Sequence, residues 1–197
     1  WGDSLRPAIE MIERADIQYM CCDHLAELTM AILSKQKSKN PDLGYTTDII
    51  PFLRGVIAKA RERGIKIITD AGGANPESCG REGVELCQDL GLHATKVAVV
   101  TGDDIMDRID EMMADGVDFV NTDTGEALST IRDRVTQANV YIGCEGIVEA
   151  LGRGADIVIC GRVTDAALYL GPMVHELGWA MDDWEMLGGG TRIAHCM

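Results

Sequence analysis

The chain has 197 residues, of which 46% are hydrophobic and 25% charged, proportions typical of a globular domain and not of a disordered segment. Aspartate and glutamate outnumber lysine and arginine by 32 to 18, which gives a formal net charge of −14 at pH 7. So acidic a surface repels phosphate backbones and anionic lipids, and the apolar runs are far shorter than the ~20 residues of a membrane span. We therefore expect neither nucleic acid nor a membrane as a partner.

Helical patterns alternate with short apolar runs in the first half of the chain. In chain order we predict a helix capped by Asp3 or Ser4, a strand over 17–22, a helix over 25–33, a polar loop over 35–45 and a helix from Asp48 to Gly64. A strand over 65–70 and a helix over 77–90 follow.

The second half continues the alternation. We predict a strand over 96–100, a helix that opens at 101–104 and runs through Met113, short strands over 118–120 and 139–142, a helix over 146–151 and a strand over 156–160. A helix after Thr164 is expected to break or kink at Gly171 and Pro172, because proline lacks the amide hydrogen that an interior helical position donates.

Strands that are apolar throughout, separated by amphipathic helices, predict a mostly parallel sheet with helices on both faces. A doubly wound α/β fold is the preferred interpretation. The alternative is part of a barrel, since a complete eight-stranded barrel usually needs ~250 residues. Residues 1–197 are expected to form a single α/β domain. The chain opens without methionine and ends in what we interpret as the first turns of a helix, so we expect it to be an incomplete portion of a longer protein.

Polar residues follow each predicted strand, at the edge where parallel sheets bind ligands. The candidates for acid–base catalysis are His24, Asp70, Asp103 and Glu145. The candidates for substrate binding are Gly72, Gly73, Asn75, Thr101, Gly102, Gly161, Arg162 and Asp165. Glycine there permits a ligand to approach the backbone closely. Helix capping alone would also explain Asp103 and Asp165, and simple turns would explain the two adjacent glycines.

Arg162 is a cation among these acids. It either neutralises Asp70 or Asp165 structurally, or it grips a carboxylate or phosphate of a ligand with its forked geometry. The sequence has no dinucleotide fingerprint, no Walker lysine and no zinc-binding spacing of histidines or cysteines. If a metal binds, the aspartates favour Mg²⁺ or Mn²⁺. The seven cysteines are interpreted as reduced thiols of a cytoplasmic protein.

Three ordered segments carry a family resemblance: Asp70–Pro76, Lys96–Asp104 and Ala155–Asp165, with His175–Trp179 and Asp182–Trp184 in the tail. Over essentially the whole chain they resemble the acyclic terpene utilisation (AtuA-like) family, formerly a domain of unknown function. The resemblance implies longer members at both ends and a role in bacterial breakdown of acyclic isoprenoids such as citronellol and geraniol, by a route that works on coenzyme A thioesters. No reaction is established for the family, so the resemblance assigns no catalytic residues.

The leading hypothesis is an enzyme of acyclic terpenoid or branched-acid catabolism that acts on a small acid or its coenzyme A thioester, as a hydratase or lyase. Asp70 or Asp103 serves as base or metal ligand, Arg162 as anion clamp, and the Gly72–Gly73 backbone as an oxyanion or phosphate cradle. The alternatives are a non-catalytic partner subunit and a small-molecule-binding protein. A homo-oligomer or a complex with a pathway enzyme is also expected, and Trp179 and Trp184 are candidates for such an interface or for the core.

Overall fold

The computed structural model describes residues 4–197, and its centre is a four-stranded parallel sheet. The strands run in the spatial order β1-β2-β4-β3. Their bounds are β1 (Tyr19–Cys22), β2 (Lys66–Thr69), β3 (Val97–Val100) and β4 (Ile157–Cys160). In the register of neighbouring strands, Cys22 pairs with Thr69, Thr69 with Ile159, and Val100 with Cys160, so all four strands end at the same edge.

Eight α-helices surround this sheet within residues 4–197. They are α1 (Arg6–Arg14), α2 (Glu27–Lys39), α3 (Ile49–Arg63), α4 (Pro76–Asp89), α5 (Ile109–Ala114), α6 (Glu145–Gly152), α7 (Ala167–Leu177) and α8 (Trp184–Ala194). The predicted cap residue Ser4 accepts the Arg6 N–H at 3.3 Å, while Asp3 lies outside the described residues. The expectation that residues from Thr191 form the first turns of a helix is wrong, since α8 begins at Trp184 and ends at Ala194.

Alternate side chains of each strand enter two separate cores, one on each face of the sheet. Ile67 and Ile157 pack with α1, α3 and α4, whereas Ile68 and Val158 pack with α6 and α7. Trp179 packs against this second core, while Trp184 is 77% exposed. Helices on both faces of an open parallel sheet confirm the α/β fold, and the sheet is not closed into a barrel.

The connections leaving β2 and β4 diverge, and this makes the carboxyl edge of the sheet a topological switch point. The helix that follows β2, α4, packs on the first face, and the helix that follows β4, α7, packs on the second. The two strands are neighbours, so the chain leaves their carboxyl ends toward opposite faces of the sheet. Such a switch point is where open α/β sheets bind ligands.

Two predicted strands are absent from the described residues. Segment 139–142 crosses the ends of the strands instead of running beside one, and it makes only isolated bridges, Asp104 with Asn139 and Ile142 with Val163. Its backbone hydrogen bonds go to Asp103 and Arg162, which explains why no ladder forms. Segment 118–120 likewise contributes a single bridge, from Val120 to Ala127. Four strand ends, not five, therefore build the edge.

Three helix predictions also needed correction. The expected loop over 35–45 is helical as far as Lys39, because lysine and glutamine are good helix formers and Lys37 Nζ donates to the Ala74 carbonyl at 2.6 Å. The expected break at Pro172 does not occur, since α7 packs its buried Gly171–Pro172 turn closely against Ile147 of α6. The helix expected from 101 starts only at Ile109, after a 3₁₀ turn at 106–108, because Gly102 adopts φ +113°.

Gly72 controls how closely the loops after β2 and β4 approach. A Cβ atom at this position would lie 2.5 Å from the Cys160 carbonyl oxygen and 2.6 Å from Pro76 Cβ. We expect Gly72→Ala to lower the free energy of unfolding by about 1–3 kcal/mol, since neither neighbour can move without shifting backbone. Chemical denaturation measures this change.

Gly188→Ala is the matched control for this prediction. Gly188 lies within α8 and has open space around its Cβ direction. Alanine there should raise stability by about 0.5–1 kcal/mol, because it removes the entropy that helical glycine loses on folding. Equal effects of the two substitutions would contradict the close approach at Gly72.

Candidate functional site

The candidate site lies at the switch point, where Asp70 follows β2 and Gly161 and Arg162 follow β4. All three residues are buried. The parallel register brings together the carboxyl ends of the two strands, and the absence of a side chain at Gly72 permits the loops to touch. The sequence-predicted acid and the sequence-predicted cation are therefore neighbours in space.

Asp70 is a fully buried carboxyl group with an unsatisfied oxygen. Its Oδ1 accepts the His24 backbone N–H at 2.7 Å, while its Oδ2 has no hydrogen-bond partner within residues 4–197. Burial raises the pKa of Asp70 well above its usual range, and the nearby Asp23 carboxylate raises it further. The His24 N–H and the Arg162 charge act in the opposite direction but are weaker. Burial and the Asp23 charge thus favour the neutral, proton-donating form of Asp70.

His24 stands beside this acid as a neutral base. Its Nδ1 atom lies 2.9 Å from Thr69 Oγ1, 3.3 Å from the Cys22 carbonyl oxygen and 3.8 Å from Asp70 Oδ1. Burial lowers the pKa of His24, so at neutral pH the ring carries no charge. With the histidine deprotonated and the aspartate protonated, the pair is not a salt bridge. It is a proton donor next to a proton acceptor.

Asp103 joins the segment after β3 to the end of β4. Its Oδ2 accepts the Arg162 backbone N–H at 2.9 Å and the Asn139 side-chain N–H at 2.8 Å. The carboxylate also lies against Gly161, where any side chain would collide with it. Burial raises the pKa of Asp103, although both hydrogen bonds lower it. Because its oxygen is already used twice, the geometry gives Asp103 an anchoring role.

Arg162 is held from two sides, and its buried Nε is left without a partner among residues 4–197. Its Nη1 donates to the Val163 carbonyl at 2.7 Å and to Asp165 at 3.0 Å, and its guanidinium carbon lies 4.0 Å from the centre of the Tyr141 ring. Tyr141 in turn donates its hydroxyl hydrogen to Glu27. The Arg162 side chain is 4% exposed, yet its Nε has no partner within residues 4–197.

The other predicted site residues lie around this centre in different roles. Asn75 caps α4 and donates its amide to the carbonyls of Pro41 and Leu43, so its polar atoms are used structurally. Gly73 adopts φ +52° in the turn after β2. The exposed residues are Thr101 and Gly102 after β3, Glu145 in the first turn of α6 and, half-exposed beside Arg162, Asp165.

Four contributing residues were not predicted from the sequence: Thr69, Asn139, Tyr141 and Glu27. Thr69 is the last residue of its strand, a position that could have signalled it. Tyr141 and Asn139 lie in the segment interpreted as a strand, which hid their position across the strand ends. The described residues contain no group of three or more histidine, cysteine, aspartate or glutamate side chains arranged to hold a metal ion. They therefore offer no such ligand set for Mg²⁺ or Mn²⁺.

Comparison with known proteins gives one decisive result. The family model of the acyclic terpene utilisation family protein AtuA matches residues 1–197, the whole chain. The chain belongs to this family. Searches of curated proteins and of solved structures found no match. Across residues 4–197, no helix of this family member combines the length and apolarity needed to cross a bilayer.

The neutral state of Asp70 predicts a pH-dependent stability difference. An unfolded aspartate ionises near pH ~4, whereas the folded Asp70 keeps its proton to higher pH. Between these pH values the folded state binds more protons, so stability falls as pH rises, by at most about 1.4 kcal/mol per pH unit. Asp70→Asn has no proton to lose, so its stability relative to the wild type should rise progressively as the pH rises above ~4.

Denaturant unfolding at each pH measures this difference, with Asp118→Asn, an exposed position, as the control for the change in charge. A stability difference between Asp70→Asn and the wild type that does not change with pH would contradict a buried neutral carboxyl.

The anchoring role of Asp103 predicts a contrast between two substitutions. Asp103→Ala leaves the buried Arg162 N–H and the Asn139 amide without their acceptor, at a cost of about 1–3 kcal/mol for each unsatisfied group. Asp103→Asn keeps an oxygen in place and should retain most of the stability. Hydrogen exchange should speed up across 104–140 in the alanine variant only, and equally slow exchange in both variants would refute the anchor.

Proposed function

We propose that the switch-point crevice is the active site of an enzyme of acyclic terpenoid or branched-acid catabolism, which adds water to or removes it from a small acid or its coenzyme A thioester. One observation carries this proposal. Two buried polar atoms of opposite hydrogen-bonding character, Asp70 Oδ2 and Arg162 Nε, have no partner within residues 4–197. Buried polar groups are nearly always paired, and a pair left open at a ligand-binding edge fits a ligand that completes both.

Arg162 supplies the anion clamp of this proposed site. Its guanidinium is fixed by Tyr141 and Asp165, so little conformational entropy is lost when it binds a carboxylate or a thioester carbonyl. In an addition to a conjugated double bond, negative charge develops on that carbonyl oxygen in the transition state. A fixed, buried cation stabilises such charge more strongly than water does.

Asp70 and His24 supply the proton transfers. In hydration, the neutral His24 removes a proton from water as its oxygen bonds to the β-carbon, and the neutral Asp70 donates a proton to the α-carbon. After these two transfers His24 carries one extra proton and Asp70 lacks one. Transfer from His24 to Asp70 across the 3.8 Å between Nδ1 and Oδ1 restores both. Dehydration is the same sequence in reverse.

We also propose a cytoplasmic location and an oligomeric assembly for the protein. The seven cysteines are all unpaired, which supports a reducing, cytoplasmic environment. A homo-oligomer or a complex with a pathway enzyme stays a prediction, which light scattering of the purified protein checks.

Ligand binding and turnover test the proposal in the full-length protein. Thermal shift with a panel of branched acids and their coenzyme A thioesters detects binding, since a ligand at about a hundred times its Kd adds about 2.7 kcal/mol. Arg162→Lys should weaken binding about tenfold or more, through loss of a charged, forked contact. Asp70→Asn should retain binding and lower kcat by about 10²–10⁴.

Arg153→Lys is the control for the arginine substitution, because Arg153 is 79% exposed and pairs only with Glu149 on the surface of α6. Equal binding by the two lysine variants would refute the anion clamp. Binding by the wild type without turnover would make the protein a small-molecule-binding protein. No binding at all would favour a non-catalytic subunit.

A further inference from the structure

A cavity of about 390 Å³ lies in the irregular segment between β3 and α6. Its lining is mainly apolar and includes Ile109, Phe119, Val120, Leu128, Ile131 and Val140. Among the described residues that line it, only Glu126 is charged. The volume falls within the ~300–1,000 Å³ of small-molecule sites. The lining has no cation that would attract a phosphate or a carboxylate, so its chemistry fits a hydrocarbon.

The wall of this cavity is continuous with the candidate site. Asn139, which lines the cavity, donates to the same Asp103 oxygen that accepts the Arg162 N–H. Val140, also in the lining, directly precedes Tyr141, whose ring covers the Arg162 guanidinium. The cavity lining is therefore linked to the Arg162 site through the Asn139 side chain and the Val140–Tyr141 backbone.

Several side chains of this wall remain exposed to water although they are apolar. Val120 is 48% exposed, Ile131 39% and Val140 41%. The same segment buries Ile105 and Ile109. Packing alone therefore does not explain why the apolar side chains of the cavity wall stay partly exposed. A cluster of half-exposed apolar side chains around a cavity is typical of a binding surface.

We infer that this cavity binds the branched aliphatic chain of the substrate, while Arg162 holds its acid or thioester end. This assignment rests on the proposed function. In it, contacts between the aliphatic chain and the cavity determine which chain length the site prefers. Each methylene that enters the cavity strengthens binding about fourfold, because burying it is worth about 0.8 kcal/mol. A ten-carbon branched acid should accordingly bind at least a hundredfold more tightly than its five-carbon counterpart.

Three saturated probes test this in the full-length protein by isothermal titration calorimetry. They are 3-methylbutanoic acid, 3,7-dimethyloctanoic acid and the alcohol 3,7-dimethyloctan-1-ol. The short acid engages the anion clamp alone, the alcohol engages the cavity alone, and the long acid engages both. Because the probes are saturated, they lack the conjugated double bond at which hydration would occur.

Val120→Asp places a charge in the cavity wall and should weaken the long acid and the alcohol about tenfold or more, with less than a twofold effect on the short acid. The control is Val117→Asp, the same substitution three residues earlier, where the side chain is 42% exposed and lies outside the lining. It should change the binding of each probe less than twofold. Ala127→Leu narrows the cavity without adding charge and replaces Val120→Asp if circular dichroism shows that variant to be unfolded.

The inference is wrong if the ten-carbon acid binds no more tightly than the five-carbon acid, or if the two aspartate variants weaken it equally. Failure of the proposed function looks different. In that case Arg162→Lys leaves the affinity of both acids unchanged, whereas binding of the alcohol still depends on Val120.

Discussion

The carboxylate of Asp103 holds together parts of the chain that the sheet alone would leave apart. Through one oxygen it binds the backbone after β4 and the side chain of Asn139, which lies 36 residues further along the sequence. This geometry requires glycine at position 161, and it positions the following residues so that Tyr141 covers Arg162. The orientation of Arg162 and the position of the apolar cavity therefore both depend on one buried hydrogen-bonded group.

Burial also determines the chemistry available at the switch point. The same loss of water raises the pKa of Asp70 and lowers that of His24, so both are neutral at the pH where exposed groups of their kind are charged or partly charged. A neutral acid beside a neutral base can move a proton in either direction without leaving an isolated charge in the interior. Asp165 and Tyr141 hold the Arg162 guanidinium but leave its buried Nε without a partner among residues 4–197, and in the proposed function a ligand anion accepts from this atom.

Much of the fold and the centre of the site could be predicted from the sequence. Strand sequences such as Ile157–Cys160 are too apolar for a sheet with one solvent-exposed face, and they therefore indicate a parallel sheet covered on both faces. The rule that ligands bind at the carboxyl ends of such strands then selects Asp70 and Arg162.

Other features of the fold and of the candidate site could not be predicted, because they depend on contacts between residues that are far apart in the sequence. Segment 139–142 has the local pattern of a strand, but hydrogen bonds to Asp103 and Arg162 turn it across the sheet edge. From the sequence, Asn75 is a candidate substrate-binding residue. In the structure its side-chain amide instead donates hydrogen bonds to the carbonyls of Pro41 and Leu43 and so holds the loop between α2 and α3.

The segment between β3 and α6 has a further consequence for how this family can diversify. Most of its hydrogen bonds are local, and its ties to the sheet edge are concentrated at Asp103 and the residues around Asn139. Substitutions in the middle of the segment can reshape the cavity while Asp70, His24 and Arg162 keep their places after the ends of the strands. Under the proposed function, selection can therefore change which hydrocarbon is accepted without rebuilding the residues proposed for catalysis, so relatives with one chemistry and different chain preferences require few mutational steps.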